Sequence, residues 1–187
     1  EHFAGACIVH PDTGKTITKY RTLARDPATR DIWTTAFGKE LGGLAQGDTT
    51  TGTKGTNTIV FLDHDGIKGI PKYRTITYAR IVVDYRPQKD DPKRVWITAG
   101  GNLIDYPFEL TTRTADLTTS KILWNSIMST SGAKFASFDI SNVYLHIPAA
   151  PKDYEYMCIP IYMLPEHTIT QYNLCEHKKG GVVYAKI

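Results

Sequence analysis

A single acidic residue closes the apolar run Phe135-Ala136-Ser137-Phe138-Asp139, and an aromatic, Tyr144, follows in Ile140-Ser141-Asn142-Val143-Tyr144-Leu145. A carboxylate there would sit at the edge of a core, partly desolvated, and a buried anion needs a cation or several hydrogen-bond donors. A hard, oxygen-seeking Mg²⁺ would serve, and a ring to its side could police what enters. The rival reading is a helix cap, because Asp is a favoured N-cap and a short helix could start near Ser141. One carboxylate alone makes a poor magnesium site, so these residues by themselves leave both readings open.

A second charged pattern lies upstream in Arg80-Ile81-Val82-Val83-Asp84-Tyr85-Arg86. On a strand, positions 80, 82, 84 and 86 share one face, so two guanidiniums and one carboxylate would project together. That face could meet phosphate, or it could be a solvated cross-strand charge ladder. Other clusters carry less. Cys158, His167, Cys175 and His177 have zinc-binding side chains, but their spacing is not one that zinc sites use. The Gly-Gly pairs at 42, 100 and 180 lack the strand-to-helix context of a phosphate loop and read as turns. His64 and His146 read as surface or packing residues.

The elements that must position these groups follow from pattern. Asp26-Pro27 reads as an N-cap with Pro at the first helical position, and Ile32, Trp33, Ala36, Phe37, Leu41 and Leu44 recur at helical spacing. Gly47 to Asn57 is a Gly/Thr-rich loop. Thr58 to Leu62 and Tyr78 to Tyr85 read as strands flanking a turn-rich excursion from Asp63 to Pro71, which predicts an extended antiparallel hairpin. A short strand is expected at Val95 to Thr98, then a break at Gly100-Gly101. A second helix is predicted over about Thr114 to Met128, ended by Ser131-Gly132, and Lys134 to Asp139 reads as a strand feeding the first motif. Tyr154 to Ile159 and Val182 to Ile187 are further strand candidates. Strands and helices without a βαβ rhythm predict an α+β fold.

Composition bounds the class. The chain has 187 residues, is 41% apolar and carries a net charge of +3, enough for one domain or two small lobes. It has no apolar run of about 18 residues and no secretory leader pattern, so neither membrane nor secretion is expected. Three cysteines without framework spacing predict reduced, intracellular thiols. The mild charge means that any nucleic-acid affinity depends on where the charges sit.

Asp139 with Tyr144, followed by Glu155-Tyr156-Met157-Cys158-Ile159-Pro160, resembles the first catalytic motif of reverse transcriptases, most closely the polymerases of copia-type LTR retrotransposons. Val143 stands where that family usually has Ala, and Tyr156 where it has Val or Ile. Arg80 with Asp84-Tyr85-Arg86 resembles the fingers strand of retroviral and retrotransposon enzymes. Ile32-Trp33, Ala36-Phe37 and Glu40-Leu41 resemble the helix that opens copia-type polymerase domains, and Thr112-Arg113 resembles the segment before the palm helix. The likeness spans roughly residues 26 to 187.

The resemblance implies the fingers and partial palm of a right-hand polymerase, with antiparallel sheet elements and packed helices. Fingers would occupy residues 1–106 and 148–187, and a palm portion 107–147. It further implies an RNA-directed DNA polymerase, a nucleotidyltransferase using dNTPs and a primed RNA or DNA template. Asp139 and the backbone carbonyl of Ile140 would ligate Mg²⁺, or Mn²⁺ in its place, in a two-metal clamp. Tyr144 would be a steric gate that clashes with a 2′-hydroxyl. Arg80 would pair with the triphosphate, joined by Lys72 or Lys68, while Asp84 would orient an Arg and Arg86 would reach the template or Asp84.

The Y-x-D-D turn that supplies the remaining carboxylates is not within these residues, so the expectation is a fragment without appreciable polymerase activity alone. Self-association through an exposed palm face is expected, and the setting implied is intracellular: cytoplasm, virus-like particle or nucleus. Two rival readings stand beside it, a non-catalytic nucleic-acid-binding module and an inert retroelement remnant.

Overall fold

The computed structural model describes residues 8–9, 14, 16–17, 19–104, 116–138, 145 and 150–187. The chain divides into two units, Glu1–Ile104 together with Leu145–Ile187, and Asp105–Tyr144. Asp139, Ile140 and Tyr144 lie outside the described residues.

The first unit opens with a small two-stranded sheet, β1 (Ile8–Val9) and β2 (Thr16–Ile17), followed by helices α1 (Tyr20–Arg25) and α2 (Arg30–Leu44). Next come β3 (Val60–Phe61), α3 (His64–Lys68), β4 (Ile76–Tyr85) and β5 (Lys93–Ala99). After the second unit the chain returns as β6 (Tyr156–Pro160), two short helices at Glu166–Gln171 and Leu174–His177, and β7 (Val182–Lys186). Among its described residues the second unit holds one long helix, α4 (Leu117–Ser129). Numbered in chain order, the two short helices are α5 and α6. The α+β class read from the sequence is the one observed.

The main sheet has the order β3-β7-β6-β4-β5. Its pairings are antiparallel except one: Ile76, Thr77 and Tyr78 of β4 run parallel to Tyr156, Met157 and Cys158 of β6. This corrects the antiparallel sheet expected from the sequence. A parallel pair needs a long crossover, and the chain between β4 and β6 provides one.

The predicted hairpin is also corrected. β3 pairs with β7, while β4 folds back on β5 in a seven-pair register from Ala79↔Ala99 to Tyr85↔Lys93. The Asp65-Gly66 signal belongs to α3, whose cap is Asp63; its carboxylate accepts the Gly66 N–H at 2.7 Å. The true hairpin turn is closed by the Arg86 N–H donating to the Pro92 carbonyl at 2.7 Å. Strand β4 alternates as strands must. Val83 is buried with Val95 of β5 among the residues that pack with α2, which leaves Arg80, Val82, Asp84 and Arg86 on the opposite face.

Helix α2 buries Trp33, Phe37 and Leu41, spaced by one turn each, and α1 adds Tyr20 and Leu23. Tyr20 and Phe37 stack with ring centroids 4.9 Å apart, and burial pushes the Tyr20 phenol well above its ordinary range. Each such side chain contributes about 1.5–3 kcal/mol on burial, which is what holds helices this short. Asp26-Pro27 does not start α2. It forms the turn after α1, where the Asp26 carboxylate accepts the Ala28 N–H at 2.9 Å. The N-cap is Thr29, whose hydroxyl donates to the Leu23 carbonyl at 2.8 Å and so fixes the two helices to each other.

Gly42-Gly43 lies inside α2, not in a turn. The Gly/Thr-rich loop returns along the end of this helix: the N–H groups of Gly47, Thr56 and Ile59 donate to the carbonyls of Gly42, Gly43 and Leu44 at 2.8–2.9 Å. Carbonyls that every helix leaves orphaned are satisfied in this way. The close docking explains Gly42, where a Cβ would come within 2.5 Å of the Asp48 Cβ and 2.8 Å of its backbone nitrogen. At Gly43 the nearest atom is the Thr53 methyl at 3.6 Å.

In the second unit, the Asp116 carboxylate caps α4 by accepting the Thr119 N–H at 2.7 Å, and this bond holds its pKa below the ordinary value. The helix ends where sequence placed its stop, with Gly132 at φ 76°. Residues 134–138 form no strand, contrary to expectation. Trp124 and Phe135 pack with tilted rings, centroids 4.6 Å apart, while Leu117, Ile122, Leu123 and Met128 are exposed. No helix among the described residues is long and apolar enough to cross a membrane.

Two glycine substitutions test the docking of the loop. Gly42→Ala should lower stability by about 1–3 kcal/mol through overpacking, outweighing the ~1 kcal/mol that alanine gains in a helix. Gly43→Ala should be neutral or stabilising. Urea midpoints of the two variants, compared with the parent chain, read the difference directly.

Candidate functional site

The outward face of the β4–β5 hairpin gathers the charged residues singled out by sequence. Arg86 Nε donates to Asp84 Oδ2 at 2.6 Å, and Asp84 is largely buried although it lies on the outer face. Across the ladder Asp84 stands opposite Arg94, and Val82 opposite Trp96. The Arg86 guanidinium lies over the Trp96 ring at 5.0 Å and the Arg94 guanidinium over the same ring at 5.3 Å. Arg80 is exposed, two pairs further along, opposite Thr98.

Further along the same face, Tyr78 donates from its hydroxyl to Asn102 Oδ1 at 3.0 Å. Its ring lies so close to Gly100 that a Cβ there would come within 2.7 Å, and the buried Thr77 hydroxyl donates to the Gly100 carbonyl at 2.6 Å. Gly100 is therefore needed for close approach, beyond the simple break that its sequence context suggests.

The other cations of the region are differently employed. Arg74 pairs with Glu155 at 2.6 Å, both side chains largely buried, and donates to the Lys152 carbonyl, which ties the loop before β4 to the start of β6. Lys68 pairs with Asp65 at 2.8 Å on the surface of α3, and Lys72 is exposed. Lys39 of α2 pairs with Asp91 in the hairpin turn.

Beside this turn a cleft of about 230 Å³ is lined by Ala36, Lys39, Glu40, Lys93 and Arg94. Burial raises the Glu40 pKa above its ordinary value, with Arg94 pulling the other way. His64 is exposed at the start of α3. His167 is packed under Gly38, with its Nε2 buried 4.0 Å from Asp48 Oδ2. Cys158 and Cys175 are free thiols, and the described residues hold no group of three or more His, Cys, Asp or Glu side chains suited to a metal.

The hairpin thus brings Arg80, Asp84 and Arg86 onto one face, whereas Lys68 and Lys72 belong to the α3 region. Arg94 and Trp96 join that face and were missed by the sequence reading. The available signal was their alternation in Arg94-Val95-Trp96-Ile97-Thr98, which puts 94, 96 and 98 on the same side once the strand is paired with β4. Compared with protein-family models, curated proteins and solved structures, the chain matches none.

Glu40 supplies a pH test. A carboxyl whose folded pKa is raised binds more protons folded than unfolded, so stability falls as pH rises from the ordinary value of 4.5 through the raised one. Glu40→Gln keeps the shape and removes that penalty. The variant should unfold at higher urea than the parent chain at neutral pH, and the gap should close below pH 4.5. An equal gap at all pH values would mean that Glu40 is not the source.

Proposed function

We propose that the chain is part of an RNA-directed DNA polymerase of the copia-type retrotransposon kind, contributing fingers and a portion of the palm. The observation that supports this most is the interrupted first unit: the chain leaves it after Ile104 and rejoins it at Leu145, and the interruption contains α4 and the Phe138-to-Tyr144 motif. A fingers region broken by an inserted palm piece has this order. The charged hairpin face agrees with it, since Arg80 and Arg86 present guanidiniums suited to phosphate.

In this reading Asp139 and the Ile140 carbonyl hold Mg²⁺. When bound, the metal supplies Lewis-acid polarisation of the phosphate under attack and eases deprotonation of a primer hydroxyl. Tyr144 excludes the 2′-hydroxyl of a ribonucleotide by its bulk. Arg80 and Lys72 neutralise the triphosphate, and Asp84 restrains Arg86 so that its charge stays on the hairpin face at low entropic cost.

The test is binding of the whole chain to a primed RNA template. Affinity should fall steeply between ~50 and ~200 mM salt, and the matching dNTP with Mg²⁺ should strengthen retention. Asp139→Asn should abolish that increment and leave template binding unchanged. Salt-independent binding, or none, would sink the reading.

The same reading includes self-association through the exposed apolar residues of α4. Sedimentation should show a concentration-dependent dimer that Leu123→Glu removes. A monomer at every concentration counts against it.

A non-catalytic nucleic-acid-binding module is the second reading, supported by the indole that two guanidiniums approach on the hairpin. In that case template binding persists, but neither dNTP nor Mg²⁺ changes it.

A further inference from the structure

We propose that Trp96 is a positioning residue that fixes the Arg86 and Arg94 guanidiniums as a paired clasp for the phosphates of a nucleic-acid strand. This rests on the nucleic-acid-binding surface proposed above and names what organises it.

Trp96 is not on the core-facing side of its strand. It stands opposite Val82 on the outer face, while its neighbour Val95 is 1% exposed in the core. On that face the indole is met by a guanidinium over its ring at 5.0 Å and a second at 5.3 Å. Both arginines reach the ring from positions set by the ladder, Arg94 two residues before Trp96 on β5 and Arg86 just past the end of β4.

Free arginine side chains are long and lose rotamer entropy when they bind a phosphate. A guanidinium already held over an aromatic face has given up much of that freedom, yet its in-plane N–H donors remain available. Preorganisation of this kind strengthens binding without adding a new interaction. Asp84 restrains Arg86 through Nε at 2.6 Å and leaves the terminal nitrogens of that guanidinium uncommitted to this bond. Among the described residues this face carries three cations, Arg80, Arg86 and Arg94, and one anion, Asp84; Glu40 meets Arg94 across the neighbouring cleft, and the balance is still positive, which a phosphodiester strand would match. An acidic peptide offers the same charge but no regular phosphate spacing, and it serves as the contrasting ligand.

The experiment uses the full chain with a fluorescent single-stranded oligonucleotide and, separately, a polyglutamate peptide, over a salt series. Trp96→Ala should weaken oligonucleotide binding by about five- to a hundredfold, the cost of ordering two arginine side chains on binding that the indole had already ordered in the free chain. The logarithmic salt slope should become shallower by about 0.7 for each phosphate that the variant no longer neutralises. Trp96→Phe, which keeps an aromatic face, should recover most of the affinity and the slope. Trp96→Leu, which keeps bulk alone, should behave like the alanine variant.

If leucine rescues as well as phenylalanine, Trp96 acts by packing and the proposal is overturned. It is equally overturned if both variants bind as the parent does, or if polyglutamate binds as tightly as the oligonucleotide. A parent chain that binds no oligonucleotide overturns the nucleic-acid reading itself, an outcome distinct from variants that match a binding parent. Should the alanine variant fail to fold, the phenylalanine and leucine pair decides the matter.

Discussion

The first unit depends on three residue pairs, Ile76 to Tyr78 of β4 running parallel to Tyr156 to Cys158 of β6. This short ladder joins the β4–β5 hairpin to the β6–β7 pair in one sheet. It is reinforced at its entrance by the largely buried Arg74–Glu155 pair and at its centre by Thr77, which is 1% exposed and bonded to the Gly100 carbonyl. The rest follows from it: β7 pairs on β6, β3 on β7, and the remaining length of β4 is left to make the hairpin with β5. A parallel pairing is slow to form because loop closure comes before any reward. Once made, it is held by burial of Met157 at 2% exposure, with Ile159 beside it at 1%.

The hairpin projecting from that ladder has two unlike faces for the same reason. Alternation sends Val83 and Val95 into the apolar cluster beneath α2 and leaves the charged set outside. Its turn is held against α2 by the Lys39–Asp91 pair, and a surface pair of this kind is worth at most about 1 kcal/mol. The position of the turn is thus decided mainly by the buried valines. The outer face is thereby placed by the inner one, and on it an indole lies beneath two guanidiniums at 5.0 and 5.3 Å.

Much of the local structure was legible. The α2 stripe of Trp33, Phe37 and Leu41, the strands around Tyr78, Val95, Tyr156 and Val182, and the stop at Gly132 all follow from period and turn chemistry. Errors gathered where one local signal serves two structures. Asp26-Pro27 suits a helix start and an interhelical turn equally, and the buried Leu23–Thr29 hydrogen bond chose the turn. Gly42-Gly43 carries a turn signal within a helical stripe that runs on to Leu44, and the helix continues through it, with the Gly/Thr-rich loop docked on the bare surface of Gly42. For the candidate site, Arg80, Asp84 and Arg86 were read together from one strand. Arg94 and Trp96 were not, since their partnership with that strand is not written in either segment alone.

By itself the sequence determined which residues alternate and which recur each turn, because those periods come from backbone geometry within a segment. It also presented Asp139 with Tyr144 as the pair to watch and the hairpin arginines as candidates for phosphate. Only the tertiary structure decided which strand lies beside which, that one pairing is parallel, and that Trp96 receives two guanidiniums over its ring. The reason is physical. Hydrogen-bonding edges of strands are chemically alike, so partner choice is made by the burial of side chains distant in sequence.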